Sequence, residues 1–372
     1  MPTFQDLRLL PSLVATLAEQ GLTKPTEVQS RSVSPLLEGR PVVAVSATGS
    51  GKTLAYVLPL LHTLKGLETG GDPVRKPSRP RGLVLVPGRE LGEQVAKVFK
   101  GLTHTTRLRV RSALGGSRKQ VARQSVAGIF EILVATPGRL EQLIESGELR
   151  LDDVRTLVFD EADQIVDSGF LPVAERILGA CPRSVQLALF SATLSPTLDV
   201  VVRDLFTVPP LHVRTRGSRK LVPTLRTQDR IVDRGRRFDE LHDILRDRDG
   251  VGTLLFANTR EQVDRIASWL ERERIAHVLY RGQMDRRERR ANLARFRDGE
   301  VDVLVATDLG ARGLDIERVE RVVNVHLPRD VDNYLHRVGR TARAGRSGLV
   351  INLVTHRDRP MLAKVAKRER SS

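Results

Sequence analysis

Cysteine is almost missing from this chain. Its 372 residues include one, Cys181, so no disulfide can form within the chain, which suits a reducing compartment. Aromatic residues are scarce at 4%, which argues against a nucleic-acid surface built from base-stacking platforms. No apolar run approaches the length that spans a bilayer. Residues 1–10 lack a basic stretch followed by an apolar core, so no secretory signal is expected. These absences predict a cytoplasmic chain with no membrane partner. Sequence repeats and low-complexity arms are also lacking.

Positive charge is abundant. The formal net charge is +16, and a balance this large points to a polyanion, most often nucleic acid. The alternative is a merely soluble, Arg-rich surface. From Val213 onward 36 Lys and Arg face 24 Asp and Glu, an excess of 12 out of the 16. Length points to two domains rather than one ordinary core.

Hydrophobic patterning agrees. Short runs rich in Val, Ile and Leu at 42–46, 83–86, 108–114, 132–135, 157–159, 186–190 and 211–213 read as buried parallel strands. Amphipathic stretches at 90–100, 139–146 and 172–178 lie among them. A second series has strands at 230–232, 252–256, 277–279, 301–305, 322–325 and 349–353. Helices are expected there at 238–246, 260–272, 286–297, 330–338 and 360–368. Such βα repetition predicts an α/β fold with two tandem domains, 1–213 and 224–372, each a parallel sheet flanked by helices. The basic stretch 214–223 reads as the linker, and the Gly-, Pro- and Lys/Arg-rich segment 70–82 as an exposed, mobile loop.

Three constellations carry chemistry. The first is Ser46-Ala47-Thr48-Gly49-Ser50-Gly51-Lys52-Thr53, between an apolar run and a helix-compatible stretch. Gly49 and Gly51 allow several N–H groups to point at one spot, and the helix start adds its positive end, which makes a phosphate cradle. Lys52 can reach outer phosphates, and the Thr53 hydroxyl can hold Mg²⁺. A plain glycine turn is the alternative. The second is Asp160-Glu161-Ala162-Asp163, directly after the run 157–159. There Asp160 can hold the metal of MgATP and Glu161 can position and deprotonate water. An acidic helix start is the bland alternative. The third is the Arg-rich run 336–346, in which Arg340 and Arg343 have the spacing of one helix face and can supply charge to a transferring phosphoryl group. Ser191-Ala192-Thr193 closes a strand and on its own reads as a helix cap.

Taken in order, these motifs resemble the DEAD-box RNA helicases of superfamily 2, over residues 4–348. The Asp-Glu-Ala-Asp quartet is literal. Residues 21–29 resemble the adenine-reading Q motif, placed within 2–30. The resemblance implies two RecA-like domains and ATP hydrolysis coupled to local opening of RNA duplexes. It implies that Gln29 reads the adenine edge, that Phe4 stacks on the ring, and that Asp315 meets the ribose. Thr48, Gly49, Ser50, Gly51, Lys52 and Thr53 would hold the phosphates and Mg²⁺. Arg89, Gly115, Gly116, Thr136, Arg139, Arg260, Arg289 and Thr307 would contact RNA without reading its sequence. Asp163, Ser191, Thr193 and His336 would couple the lobes when RNA brings Arg340 and Arg343 onto the nucleotide. A monomer is expected. An ATP-gated RNA clamp with little unwinding, and a DNA translocase, are the alternatives. The departures from the family pattern are Leu22, Ser46-Ala47, Gly88, Arg286 and Ala342.

Overall fold

The chain divides into two compact units, Met1–Ser218 and Arg219–Ser372. The computed structural model describes residues 2–47, 49–115, 119–167, 169–194, 196–215, 225–233, 235–246, 250–281, 284–308, 316, 318–342 and 347–370.

The first unit has strands β1 (Val42–Val45), β2 (Gly82–Leu85), β3 (Val110–Ala113), β4 (Ile132–Ala135), β5 (Thr156–Asp160), β6 (Gln186–Ser191) and β7 (Leu211–Arg214). They form one sheet in the order β3-β4-β2-β5-β6-β1-β7, and every pairing is parallel. β1, β2, β4 and β5 are buried at every position, because helices cover both faces. Alternation along β1 divides the core. Val42 and Ala44 join the cluster holding Leu58 and Phe99, whereas Val43 and Val45 join Phe130, Leu140 and Leu198. The first face is covered by α1 (Pro11–Glu19), α2 (Glu27–Leu37), α3 (Lys52–Thr69) and α4 (Arg89–Thr106). Around the second lie α5 (Lys119–Val126), α6 (Pro137–Glu145), α7 (Ala162–Asp167), α8 (Leu171–Gly179) and α9 (Pro196–Leu205).

The second unit repeats the scheme with β8 (Leu225–Ile231), β9 (Thr253–Ala257), β10 (His277–Tyr280), β11 (Val303–Thr307), β12 (Arg321–Asn324) and β13 (Gly348–Val354). Their order is β10-β11-β9-β12-β13-β8, again all parallel. The helices are α10 (Arg237–Arg246), α11 (Arg260–Arg272), α12 (Arg286–Arg297), α13 (Val331–Val338) and α14 (Arg359–Arg370). The two parallel sheets flanked by helices are those that the sequence predicts. Among the described residues no helix is long and apolar enough to cross a membrane.

Four expectations change. β8 starts at Leu225 and not at 230, and its interior residues Arg226 to Arg230 are polar. Among the described residues it pairs only with β13, at the sheet's edge, so no apolar pattern marks it. The segment 70–82 is not an exposed, mobile loop throughout. Arg81 is buried and ion-paired with Asp72 and Asp153, Val74 is buried, and Ser78 donates to the Val126 carbonyl. β7 extends through Arg214, which the sequence assigns to the linker; residues 216–223 of that linker lie outside the described residues. Finally, α13 ends at Val338 with Gly339 as its cap, so Arg340 does not continue a helix face toward Arg343.

Candidate active site

β5, β6 and β1 are adjacent in the first sheet. Register aligns Val45 with Ser191 and Asp160 with Phe190. The glycine-rich loop, Ser191 and the Asp160-Glu161 pair therefore emerge together at the carboxyl ends of three neighbouring strands, where open α/β sheets bind ligands. The Ser46 N–H donates to the Ser191 carbonyl at 3.1 Å.

The loop closes on Gly51, the residue that caps α3, at φ +88°. The backbone angle calls for glycine, and a Cβ there, 2.4 Å from Nε2 of Gln29, would push the Gln29 amide out of its place. Gln29 is buried against the loop. Its Nε2 donates to the Gly51 carbonyl at 3.0 Å, and its Oε1 accepts from the Thr26 N–H at 2.9 Å. An amide has two donors and two acceptor lone pairs, so one of each remains for a ligand edge. Lys52 donates to the carbonyls of Ser46 and Ala47, at 2.7 and 3.1 Å. Its ammonium thus lies within the loop that it would share with phosphate. Phe4, expected to stack on a base, is 3% exposed and packs in the apolar core beside α1 and α2.

Asp160 is buried at the end of β5. Its Oδ2 accepts from the Tyr56 hydroxyl at 2.7 Å and its Oδ1 from the Glu161 N–H at 3.0 Å. Burial, then the neighbouring Glu161 charge, push its carboxyl up to about 6, while Tyr56 and Lys52 pull it down. Burial and Asp160 together hold the Tyr56 phenol well above its ordinary value. A buried carboxylate short of countercharge, with the Thr53 hydroxyl in the first turn of α3, is an oxygen donor set that fits a hard divalent ion. Among the described residues no three His, Cys, Asp or Glu cluster as metal ligands. A metal here would draw its remaining ligands from phosphate and water.

Glu161 has φ +48°, a left-handed conformation uncommon for a side chain of this size. Its Oε2 accepts from Nε2 of the buried Gln164. Asp163 faces the other way. Its Oδ2 accepts from the Thr193 N–H at 3.0 Å and the Thr193 hydroxyl at 2.9 Å, and Ser191 donates to the Thr193 carbonyl at 2.7 Å. The structure thus brings Asp163, Ser191 and Thr193 into one buried network.

The residues expected on RNA collect at the opposite edge of the same sheet, beyond β3, β4 and β2. Arg89 begins α4, donating to the Gly115 carbonyl at 3.4 Å and pairing with Glu93. The Gly115 N–H donates to Thr136 Oγ1 at 3.1 Å, and Arg139 lies in the first turn of α6. Gly88 caps α4 in extended backbone, and a Cβ there would meet nothing closer than 3.9 Å, so nothing steric demands glycine. In the second unit Arg260 begins α11 after β9, Thr307 ends β11, and Arg289 lies over the Tyr280 ring at the end of β10. These too are three adjacent strands at one edge.

His336 is buried on α13, and the Arg340 Nε donates to its carbonyl at 3.1 Å. Thr48, Gly116, Asp315 and Arg343 lie outside the described residues. Ala342, where glycine is typical of the resembled pattern, is buried at φ +55°.

Sequence reasoning passed over Tyr56, Gln164 and Arg337. Arg337 is 1% exposed, and its guanidinium pairs with both oxygens of Asp308. It also donates to Asn258 at 2.6 Å, Asn324 at 3.1 Å and the His326 carbonyl at 2.6 Å, and lies 5.0 Å from the Phe256 ring centre. Burial and the cations Arg237 and Arg337 push His326 down to about 4. The available signal was that a chain with this many arginines must bury some, and a buried Arg needs an acidic partner such as Asp308.

Comparison with known proteins agrees with this geometry. The family model for DEAD/DEAH box helicase matches residues 26–201, and that for the helicase conserved C-terminal domain matches 236–345. "ATP-dependent RNA helicase SrmB" of Escherichia coli K12 is 37% identical over 376 residues, covering 98% of this chain and 81% of that protein. "DEAD-box ATP-dependent RNA helicase 39" of Arabidopsis thaliana is 35% identical, and the alignment covers 99% of this chain and 61% of that protein. Among solved structures, S. cerevisiae Dbp5 bound to RNA and ADP BeF3 superposes with a TM-score of 0.87 at 25% identity, covering 99% of this chain and 94% of Dbp5. With the glycine loop, the buried Asp160-Glu161 pair and the Gln29 contact in place, the chain belongs to the DEAD-box family of ATP-dependent RNA helicases.

Proposed function

We propose that this chain hydrolyses ATP in response to RNA and uses the cycle to grip and locally open RNA duplexes or RNA–protein complexes. The carrying observation is the meeting of Lys52, Asp160 and Glu161 at adjoining strand ends, with Gln29 packed on the same loop. The roles follow from the groups. Gln29 reads the adenine edge with its remaining donor and acceptor, and Phe4 lends an apolar wall. Thr48 to Thr53 cradle the phosphates, and Lys52 exchanges its loop carbonyls for phosphate oxygens. Thr53 and Asp160 would hold Mg²⁺, which supplies positive charge to the phosphate oxygens. Glu161 orients the attacking water and accepts its proton as the bond from phosphorus to the ADP oxygen breaks. Gln164 holds the Glu161 carboxylate until then. Arg340 and Arg343 supply the finger charges, and Asp315 contacts the ribose.

Arg89, Gly115, Gly116, Thr136, Arg139, Arg260, Arg289 and Thr307 take RNA phosphates and sugars, which grip without reading sequence. Asp163, Ser191, Thr193 and His336 pass the state of one unit to the other. The working form is a cytoplasmic monomer without a membrane partner, its first domain running through β7 to Arg214 and its second from β8 onward. Helicase relatives favour strand opening over a pure clamp. The test is steady-state ATPase with RNA and DNA of equal length. Stimulation by RNA, lost in Lys52→Ala, is expected; equal stimulation by DNA, or an unaffected Lys52→Ala, sinks the reading.

A further inference from the structure

Ser46 is one of the departures from the resembled family pattern. Its side chain is fully buried at the end of β1. The Ser46 hydroxyl donates to the Ser50 hydroxyl at 2.7 Å and lies 2.8 Å from the Thr215 hydroxyl. Thr215 is buried just beyond β7 and belongs to none of the recognised motifs. Its backbone is tied down, since its N–H donates to the Val45 carbonyl at 3.3 Å. The preceding Arg214 carbonyl accepts from Arg31, which lies on α2 with Gln29.

Each hydroxyl carries one hydrogen. Ser46 gives its hydrogen to Ser50, so in the contact between Ser46 and Thr215 the Thr215 hydroxyl is the donor. The three therefore run in one direction, from the strand end toward the loop. The Ser50 hydrogen is the one not spent inside the chain of hydroxyls, and Ser50 stands in the phosphate loop. Hydrogen bonds in series polarise one another, which makes the last hydroxyl a better donor to an anion.

We infer that Ser46 and Thr215 are positioning residues for nucleotide binding: the buried Thr215–Ser46–Ser50 hydroxyl relay orients the Ser50 O–H as a donor to a nucleotide phosphate. Alanine at 46 cannot carry this relay. Gln29 anchors the far end of the loop through the Gly51 carbonyl, so the relay anchors the near end. The inference rests on the reading of 46–53 as a phosphate site and adds two residues to it.

The test is the dissociation constant for ADP, and separately for adenosine, on the full chain. Variants are Ser46→Ala, Thr215→Val, the double variant, Thr215→Ser and Lys52→Ala. Losing one hydrogen bond to an anion corresponds to roughly tenfold to hundredfold weaker binding. ADP affinity should fall about that much in Ser46→Ala and in Thr215→Val, and no further in the double variant, because the relay breaks once. Thr215→Ser keeps the hydroxyl and should restore ADP binding, and adenosine affinity should be unmoved throughout. Wild-type ADP affinity in Thr215→Val, additive losses, or equal losses for adenosine overturn the relay. If Lys52→Ala loses ADP while the relay variants do not, only the relay falls. If Lys52→Ala also binds ADP normally, the phosphate-loop reading falls with it.

Discussion

The two units are built on the same plan and spend their charged residues differently. In the first, the chemically capable side chains are held by neighbours that a ligand can replace. Lys52 lies on its own loop's carbonyls, Asp160 on Tyr56, Glu161 on Gln164 and Gln29 on Gly51. In the second, the most buried cation among the described residues, Arg337, is bonded to Asp308, Asn258, Asn324 and His326, and Arg340 stands directly after the Gly339 cap that ends its helix. In the proposed mechanism, one unit carries a site whose contacts give way to the nucleotide. The other carries a rigid base beside a cation. Net charge separates them as well, with most of the positive excess in the second unit.

A large effect should come from the exchangeable side. Glu161→Gln removes the proton acceptor and is expected to lower RNA-stimulated kcat by about 10²–10⁴-fold. Nucleotide binding should persist, measured by fluorescent-ADP titration. Full activity in Glu161→Gln would break the assignment of that side. Next is the rigid side. Arg337→Met leaves Asp308 without its partner and should destabilise the second unit by about 3–5 kcal/mol in denaturant unfolding. Arg337→Lys should rescue little, because an ammonium cannot span both carboxylate oxygens. If Arg337→Met is neutral, the contrast between the units is wrong.

Legibility in the sequence follows the same division. Both sheets and the strand-end positions of Lys52, Asp160 and Thr307 could be read, because buried parallel strands are continuous apolar runs and motifs sit at their ends. β8 could not, since an edge strand with polar residues such as Gln228 and Asp229 carries no period. The partners Tyr56, Gln164, Thr215 and Arg337 were hidden for another reason. Each acts through a contact set by helix and strand placement, such as Tyr56 on Asp160 across 104 residues. The spacing of Arg340 and Arg343 predicts a shared helix face, but Gly339 ends the helix first.

A pH series sharpens the first unit further. Asp160 is pushed up to about 6, so the ionised form needed to hold a cation is lost as pH falls through that value. The pH profile of kcat/KM should show an acid limb near there in the free enzyme. Tyr56→Phe removes a bond that favours the ionised form, so the limb should move to higher pH. The same raised value means that this group favours the folded state below its ordinary range near 3.8, and that this contribution is lost as pH rises toward 6. An acid limb unmoved in Tyr56→Phe would contradict the role of that hydroxyl.

The smallest effect belongs to a departure from the family pattern. Ala342 is held at φ +55°, which strains a residue with a Cβ by about 1 kcal/mol. Ala342→Gly should stabilise the second unit by up to about that amount in denaturant unfolding. A loss of stability would mean that the buried methyl contributes more than the backbone strain costs.

On the proposed mechanism, the first unit's site hydrolyses ATP fast only when Arg340 supplies charge to it. Single-turnover ATP hydrolysis with and without saturating RNA, in wild type and Arg340→Ala, tests it directly. RNA is expected to accelerate the wild type, and Arg340→Ala is expected to lose this acceleration by about 10³-fold or more while retaining ADP affinity. An Arg340→Ala chain that RNA accelerates as fully as the wild type would contradict it.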